Sequence, residues 1–160
     1  MSETAGLAFG EDARDPTGFS AVTGQAGPMK ILLVDDDELF LEFAAAMLRA
    51  DDIAVETCAS AAEAMAALHL EDGDQPAGDF DAVLIDIVMP EVSGTELCSL
   101  IRGHGGYGDL PVIMISATRD MSLIDQALTA GGSSYIQKPI QAATFAGEIR
   151  QKVAEARGPR

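Results

Sequence analysis

Side chains able to bind a cation or an anion stand at the ends of four short apolar runs of this sequence. ILLV is followed by Asp35, Asp36 and Asp37, AVLI by Asp86, VIMI by Ser116, Ala117 and Thr118, and YIQ by Lys138 and Pro139. Carboxylates gathered ~4 Å apart repel by about 1 kcal/mol in water and about 4 kcal/mol at an effective dielectric constant of about 20. Such a cluster needs a cation, and an all-oxygen ligand set suits Mg²⁺ or Mn²⁺ rather than zinc.

The other two groups extend this chemistry to an anion. Lys138 supplies a fixed positive charge, and the hydroxyl of Ser116 can donate to an anion held between the metal and that ammonium. Carboxylate, divalent metal, ammonium and hydroxyl together match phosphoryl transfer, in which catalysis is mostly positioning and charge neutralisation. One carboxylate can itself be the nucleophile, which would give an aspartyl phosphate.

The elements that must position these groups are five strands and five helices. Short apolar runs predict strands at 31–34, 53–57, 82–85, 112–115 and 135–137, and helical spacing predicts helices at 37–49, 60–69, 93–103, 120–130 and 141–157. Three of the strands are apolar throughout, which is typical of strands covered on both faces. The alternation predicts an α/β fold with a doubly wound parallel sheet, whose strand carboxyl ends form the binding edge.

The domain organisation is one domain with short tails. Residues 1–28 lack a periodic apolar pattern and predict a disordered tail, 29–157 form the domain, and 158–160 are a C-terminal tail. The abrupt change to MKILLV at Met29 is also typical of a natural chain start, so either Met1 or Met29 can be the true first residue.

Four sequence segments, taken in order and spacing, resemble one family. They are ILLVDDD after the first strand, DAVLIDIVMPEVSG around the third, PVIMISA at the fourth and GGSSYIQKPI at the fifth. Over residues 29–157 the chain resembles the CheY-like receiver domain of two-component response regulators, of the stand-alone type. The resemblance implies a flavodoxin-like fold with strand order 2-1-3-4-5.

The resemblance also implies a phospho-acceptor and a metal site. Asp86 would accept the phosphoryl group. Asp36, Asp86 and the backbone carbonyl of Val88 would bind Mg²⁺, with Mn²⁺ as a substitute, and Asp35 would hold a metal-bound water. Asp35 and Asp36 are assigned in preference to Asp37 because they follow the strand without a gap, which leaves Asp37 free to cap the first helix.

The remaining implied residues bind the phosphoryl group or respond to it. Ser116, Ala117 and Lys138 would contact that group. Ser116 and Tyr135 would form the switch, in which the Tyr135 rotamer follows the hydroxyl. The bond between Lys138 and Pro139 would be cis.

The implied function is a signalling switch and not a turnover enzyme. A histidine kinase or a histidine phosphotransfer protein would donate the phosphoryl group, and the face formed by helix four, strand five and helix five would control a protein partner in trans. A phosphorelay intermediate or phosphate sink remains an alternative, as does a degenerate receiver that only binds proteins. A flavin carrier is disfavoured because three aspartates after strand one would repel a phosphate, and an aspartyl phosphatase is disfavoured because Val88 stands where its second acid belongs.

Composition narrows the partners and the compartment. The 26 acidic and 10 basic residues give a net charge of −16, which argues against nucleic acid and against anionic lipid. No apolar run reaches the ~18 residues of a membrane span, and the start has no signal-peptide pattern, so we expect a cytoplasmic protein. Helix five is the one mildly cationic element and predicts a protein partner that docks on a face of mixed charge. From position 138 to 160 the sequence has five bases, Lys138, Arg150, Lys152, Arg157 and Arg160, and two acids, Glu148 and Glu155.

Cysteines and histidines do not suggest further sites. Cys58 and Cys98 are too few for a disulfide framework or a structural zinc site, and we expect buried free thiols. His69 and His104 lack the spacing of metal ligands and are expected on the surface. The glycine-rich stretch around Tyr107 lacks the ending of a phosphate loop and precedes a strand instead of following one.

Overall fold

The computed structural model describes residues 28–73 and 79–158. Strands and helices alternate along this part of the chain. The strands are β1 (Lys30–Val34), β2 (Ala54–Cys58), β3 (Ala82–Asp86), β4 (Val112–Ser116) and β5 (Ser134–Gln137). The helices are α1 (Glu38–Ala50), α2 (Ala61–Ala67), α3 (Gly94–Gly103), α4 (Met121–Thr129) and α5 (Phe145–Arg157).

The five strands form one parallel sheet in the order β2-β1-β3-β4-β5. This confirms both the fold class and the strand order expected from the sequence. Ile31 of β1 pairs with Val55 on one side and with Ala82 on the other, so β1 and β3 lie inside the sheet with the acidic ends side by side.

Two apolar layers cover the sheet, one on each face. Leu32 and Val34 of β1 pack in the layer that contains α2, α3 and α4. Ile31 and Leu33 pack in the opposite layer, with α1 and α5. Because successive side chains of a strand point to opposite faces, a strand buried on both sides must be apolar at every position. The first four residues of β3 and of β4 are apolar and buried accordingly, and the fifth residue of each, Asp86 or Ser116, is a buried polar residue at the strand end.

The helix that follows β3 starts directly behind the acid at the end of that strand. A capping box between Ser93 and Glu96 fixes the first turn of α3. A Cβ atom at Gly94 would lie only 2.0 Å from the carbonyl oxygen of Asp86, so only glycine fits there. This close packing leaves little freedom for the backbone around Asp86.

The opposite, amino-terminal end of the sheet is held by one arginine. Arg102 donates to the carbonyls of Gly131 (3.0 Å), Tyr107 (3.1 Å) and Leu110 (2.6 Å) and to the hydroxyl of Ser133 (3.3 Å). These bonds join the glycine-rich loop before β4 to the loop before β5. The glycine-rich loop is therefore a structural connection, which agrees with the expectation from the sequence that it is not a phosphate loop.

The expectation that His104 lies on the surface is wrong. Its ring is only 7% exposed and lies 4.9 Å from the ring of Tyr107. Nδ1 accepts from the Gly106 amide, which makes Nε2 the donor to the carbonyl of Gly73. The ring thus satisfies backbone groups of two loops, a role that sequence spacing does not reveal. His69 is exposed as expected.

Helix α5 begins four residues later than predicted. The carbonyl of Gln141 accepts from the amides of Thr144 and Phe145, so a separate turn precedes the helix. Cys58 and Cys98 are free and buried, as expected, and burial raises the pKa of both thiols, that of Cys58 to about 12.

Two further expectations concern the termini and membranes. Apart from Pro28, the predicted disordered tail lies outside the described residues, as do positions 159–160. Among the helices of the described residues, each is too short or too polar to cross a membrane.

Candidate functional site

Four strand ends bring the predicted groups to one edge of the sheet. Asp35 directly follows β1, Asp86 ends β3, Ser116 ends β4, and Lys138 follows β5. The Lys138 amide donates to the carbonyl of Ser116 at 2.9 Å, which extends the pairing of β4 and β5 to the site itself. The parallel topology alone therefore gathers residues that are up to 103 positions apart in the chain.

Lys138 lies between two carboxylates. Its Nζ is 2.6 Å from Oδ2 of Asp35 and 3.6 Å from Oδ2 of Asp86. Asp35 is fully buried and its other oxygen accepts from the Asp37 amide at 2.9 Å. One ammonium therefore serves two carboxylates, and it is bound more closely to Asp35 than to Asp86.

Asp86 is left with less compensation than a buried carboxylate needs. Burial, and then the charge of Asp35, raise its pKa from 3.8 to about 6. Lys138, a hydrogen bond from the Ser116 hydroxyl and the amide of Val88 at 3.3 Å lower the pKa in part. The carboxylate is thus available to an additional positive group.

Asp36 completes a cluster of three acids. Oxygen atoms of Asp35, Asp36 and Asp86 lie within 4.8 Å of one another, and Asp36 is exposed where the other two are buried. With all three ionised, Lys138 leaves two negative charges without a partner in the cluster. Close carboxylate oxygens, open to solvent on one side, are the donor set that Mg²⁺ takes in proteins, so these residues fit the expected ion.

The third acid of the run has a different task. The side chain of Asp37 accepts from the amides of Leu39 (3.1 Å) and Phe40 (3.2 Å), and so caps α1. It accordingly lies outside the three-acid cluster, as the assignment of Asp35 and Asp36 requires.

The residues that directly follow the ends of β3 and β4 contribute backbone amides and small side chains near the site. Val88, whose amide donates to Asp86, is 54% exposed. Ala117 is also exposed, and the amide of Thr118 donates to Ser116 Oγ at 3.4 Å. The bond between Lys138 and Pro139 is cis.

Tyr135 is half-buried next to the end of β4. Its hydroxyl lies 3.2 Å from the carbonyl of Ser116 and 3.1 Å from that of Thr118. The side-chain amide of Gln137 also donates to the Thr118 carbonyl, at 3.2 Å. Burial raises the pKa of the Tyr135 phenol. The ring is therefore attached to the segment that carries the hydroxyl of Ser116.

One neighbour of the site was not foreseen from the sequence. The ring of Phe40, in the first turn of α1, lies below the ammonium of Lys138, with 4.0 Å from Nζ to the ring centroid. Phe40 and Lys138 are far apart in sequence, and a phenylalanine in an amphipathic helix gives no signal that distinguishes it from a core residue.

Comparisons with known proteins agree with this geometry. Residues 31–150 match the model of the response regulator receiver domain. The response regulator MprA of Mycolicibacterium vanbaalenii is 35% identical over 112 residues, which cover 70% of this chain and 45% of that protein. The chain spans less than half the length of the curated relatives it matches.

Two solved structures share the fold. A CheY-like receiver domain protein from Methanospirillum hungatei is 28% identical, with a TM-score of 0.68 over 81% of this chain and 97% of that one. The receiver domain of the sensor histidine kinase PA1611 from Pseudomonas aeruginosa, which holds a magnesium ion in its active-site cleft, is 24% identical, with a TM-score of 0.67 over 79% and 98%. The match of residues 31–150 to the family model shows that the chain belongs to the response regulator receiver domain family of two-component signalling, and the strand order agrees with it.

Proposed function

We propose that Asp86 accepts a phosphoryl group from a phosphohistidine of a kinase or phosphotransfer protein, with Mg²⁺, and that the chain then controls a protein partner in trans. The observation that carries the proposal is the shared ammonium: Lys138 lies 2.6 Å from Asp35 but 3.6 Å from Asp86. Asp86 therefore keeps an oxygen and a negative charge for chemistry, while Asp35 is held in place.

The transfer is a displacement at phosphorus. An oxygen of the Asp86 carboxylate attacks, the new P–O bond forms as the P–N bond breaks, and the electron pair of that bond returns to the imidazole of the donor. Bound Mg²⁺ would neutralise charge on the carboxylates and on the phosphoryl oxygens. Asp36 and Asp86 are the suitable direct ligands together with the Val88 carbonyl. Asp35, already bound to Lys138 and to an amide, is suited to hold a water of the ion.

Three groups of this chain would bind the transferred phosphoryl group. Lys138 pairs with its charge, and the hydroxyl of Ser116 and the backbone at Ala117 donate to its oxygens. When the Ser116 hydroxyl turns to the new dianion, the segment to which Tyr135 is bonded moves with it. A local change of charge would thus reach the face formed by α4, β5 and α5.

The charge of that face differs from the expectation. Arg150 pairs with Asp51 at the end of α1, and Arg157 pairs with Asp81 at 3.0 Å. Within the described residues, Lys152 is the remaining cation of α5, and it is half-buried. A partner on this face would therefore meet little positive charge, so Arg150 is withdrawn as a docking residue.

We also propose that the protein is cytoplasmic, that it is a signalling switch and not a turnover enzyme, and that its partner is not a nucleic acid. The test is incubation with acetyl phosphate, followed by intact mass measurement. We expect one added phosphate with Mg²⁺ or Mn²⁺, and none with EDTA or in Asp86→Asn. Asp81→Asn, at the residue that directly precedes the same strand, is the control and should be labelled normally. Equal labelling of Asp86→Asn would reject the proposal, and absence of labelling with every donor would favour the scaffold alternative.

A further inference from the structure

The ammonium of Lys138 has a third neighbour besides its two carboxylates. The Phe40 ring lies 4.0 Å from Nζ, and the side chain of Lys138 is only 15% exposed. Asp35, Asp86 and the ring thus take up three sides of the ammonium. The ring is the one neutral neighbour among the three.

The position of the ring is set by the start of α1. The Phe40 amide donates to Asp37, the capping residue, and the half-buried ring packs against the apolar layer formed with α1 and α5. The same aspartate run that supplies the acids therefore also fixes the place of the ring. A residue with such support can hold a neighbouring side chain in one place.

An aromatic face suits this place better than a polar group. It attracts the cation through its quadrupole, by about 0.5–1 kcal/mol when exposed and about 2 kcal/mol when desolvated. A carboxylate there would add negative charge to a cluster that already has an excess, and a water there would accept a hydrogen bond from the ammonium. The ring excludes both, so the N–H protons of Lys138 stay directed at the carboxylates and at an incoming phosphoryl oxygen.

We propose that Phe40 is a positioning residue for phosphoryl transfer, which holds the ammonium of Lys138 within reach of Asp86. This inference rests on the proposed function of Asp86. Without the ring, the ammonium is free to lean toward Asp35, its closer partner, and toward solvent. The phosphoryl group, or an analogue of it, then loses part of its contact with Lys138.

The test is the affinity for beryllofluoride, an analogue of the phosphoryl group, measured by calorimetry in the presence of Mg²⁺. Phe40→Leu keeps an apolar side chain but removes the aromatic face, and we expect about fivefold weaker binding. Phe40→Trp, which keeps an aromatic face at this position, should bind beryllofluoride with the affinity of the wild type. Because the chain contains no tryptophan, this variant also places a single indole beside Lys138, whose emission should change on beryllofluoride binding.

Two controls separate positioning from packing. Phe43→Leu changes an exposed phenylalanine of the same helix and should leave the affinity unchanged. In a Lys138→Met background, Phe40→Leu should have no further effect, because the group that it positions is absent. A Phe40→Leu variant that binds as tightly as the wild type, or an equal loss in the Lys138→Met background, would overturn the inference. If the wild type fails to bind beryllofluoride, the proposed function fails as well.

Discussion

The two ends of the sheet contain the same kinds of groups but treat their charges differently. At the amino end, Asp81 accepts from the Lys30 amide at 2.7 Å and pairs with Arg157, while Arg102 is surrounded by backbone carbonyls. At the carboxyl end, the cluster of three acids holds one ammonium, that of Lys138, which contacts Asp35 and Asp86. At the amino end, these charged side chains are therefore satisfied within the fold by an ion pair or by backbone carbonyls. The carboxyl end keeps an excess of negative charge that a bound cation can neutralise.

The difference shows which end of the sheet can bind a ligand. Paired groups stabilise the folded chain, and because their partners are fixed they are not available to a ligand. A carboxylate whose pKa is raised to about 6 costs stability, and the binding of a cation removes that cost.

The largest effect is expected from Arg102 at the amino end. Arg102→Met removes the donors that join the loops before β4 and β5, and leaves several carbonyls without a partner. We expect a loss of about 3 kcal/mol in the free energy of unfolding, measured with urea. Labelling by acetyl phosphate under native conditions should be unchanged. Arg119→Met, at an exposed arginine, is the control; a similar loss there would contradict this account.

Asp86→Asn should do the reverse and stabilise the chain. Because the pKa of Asp86 is raised from 3.8 to about 6 by folding, stability falls as the pH rises between these values and stays low above them. Without divalent cations at pH 7.5, the variant should gain on the order of 2 kcal/mol, and its stability should vary less between pH 4 and about 6.

Asp81→Asn is the matched control for that prediction, since Asp81 directly precedes β3, at the opposite end from Asp86. It breaks the pair with Arg157 and should destabilise the chain, opposite in sign to Asp86→Asn. Thermal unfolding of both variants, with and without Mg²⁺, measures the difference. If both acids behave alike, the two ends of the sheet are not distinct.

A smaller effect is expected at Val88. Val88 lies two residues after Asp86 and is 54% exposed; its methyl groups would offer no hydrogen bond to an attacking water and would crowd its approach. Val88→Asn should shorten the lifetime of the phosphorylated form about fivefold, a change of about 1 kcal/mol in the barrier. The decay of the phosphorylated mass after removal of the donor measures this. Leu100→Asn, at an exposed leucine of α3, should leave the decay unchanged, and an unchanged or longer lifetime for Val88→Asn would refute the argument.

The smallest effect belongs to the pair of Arg150 and Asp51, which joins α5 to α1 at the amino end. Both side chains are about half exposed, so Arg150→Gln should cost less than about 1 kcal/mol. The loss should shrink further in high salt, because exposed charges are screened. A cost that persists at high salt would mean that the pair acts through its hydrogen bonds to Asp51 instead of through charge.

The sequence predicted the carboxyl end better than the amino end. Apolar runs buried on both faces locate β1, β3 and β4 almost to the residue, and a parallel sheet then brings Asp35, Asp86 and Ser116 together whatever the loops do. The apolar pattern that predicts the strands therefore also predicts the site, because the site lies at the strand ends. The α5 boundary was less accurate because a local turn at Gln141 competes with the helix.

Contacts between loops and helices that are distant in the chain could not be predicted from the sequence. The burial of His104, the carbonyl partners of Arg102 and the ring of Phe40 over Lys138 all depend on how separate elements pack. Their residue types are equally at home on a surface. The pairing of Arg150 with Asp51 was missed for the same reason, since charge counting along α5 ignores the neighbouring helix.

The most direct measurement for the central claim is the position of the phosphoryl group in the chain. Borohydride converts an aspartyl phosphate to homoserine, which tandem mass spectrometry of peptides then locates. After incubation with acetyl phosphate and Mg²⁺, we predict homoserine at position 86 and at no other aspartate, and none when Mg²⁺ is replaced by EDTA. Homoserine at Asp35, Asp36 or elsewhere, with Asp86 intact, would contradict the account.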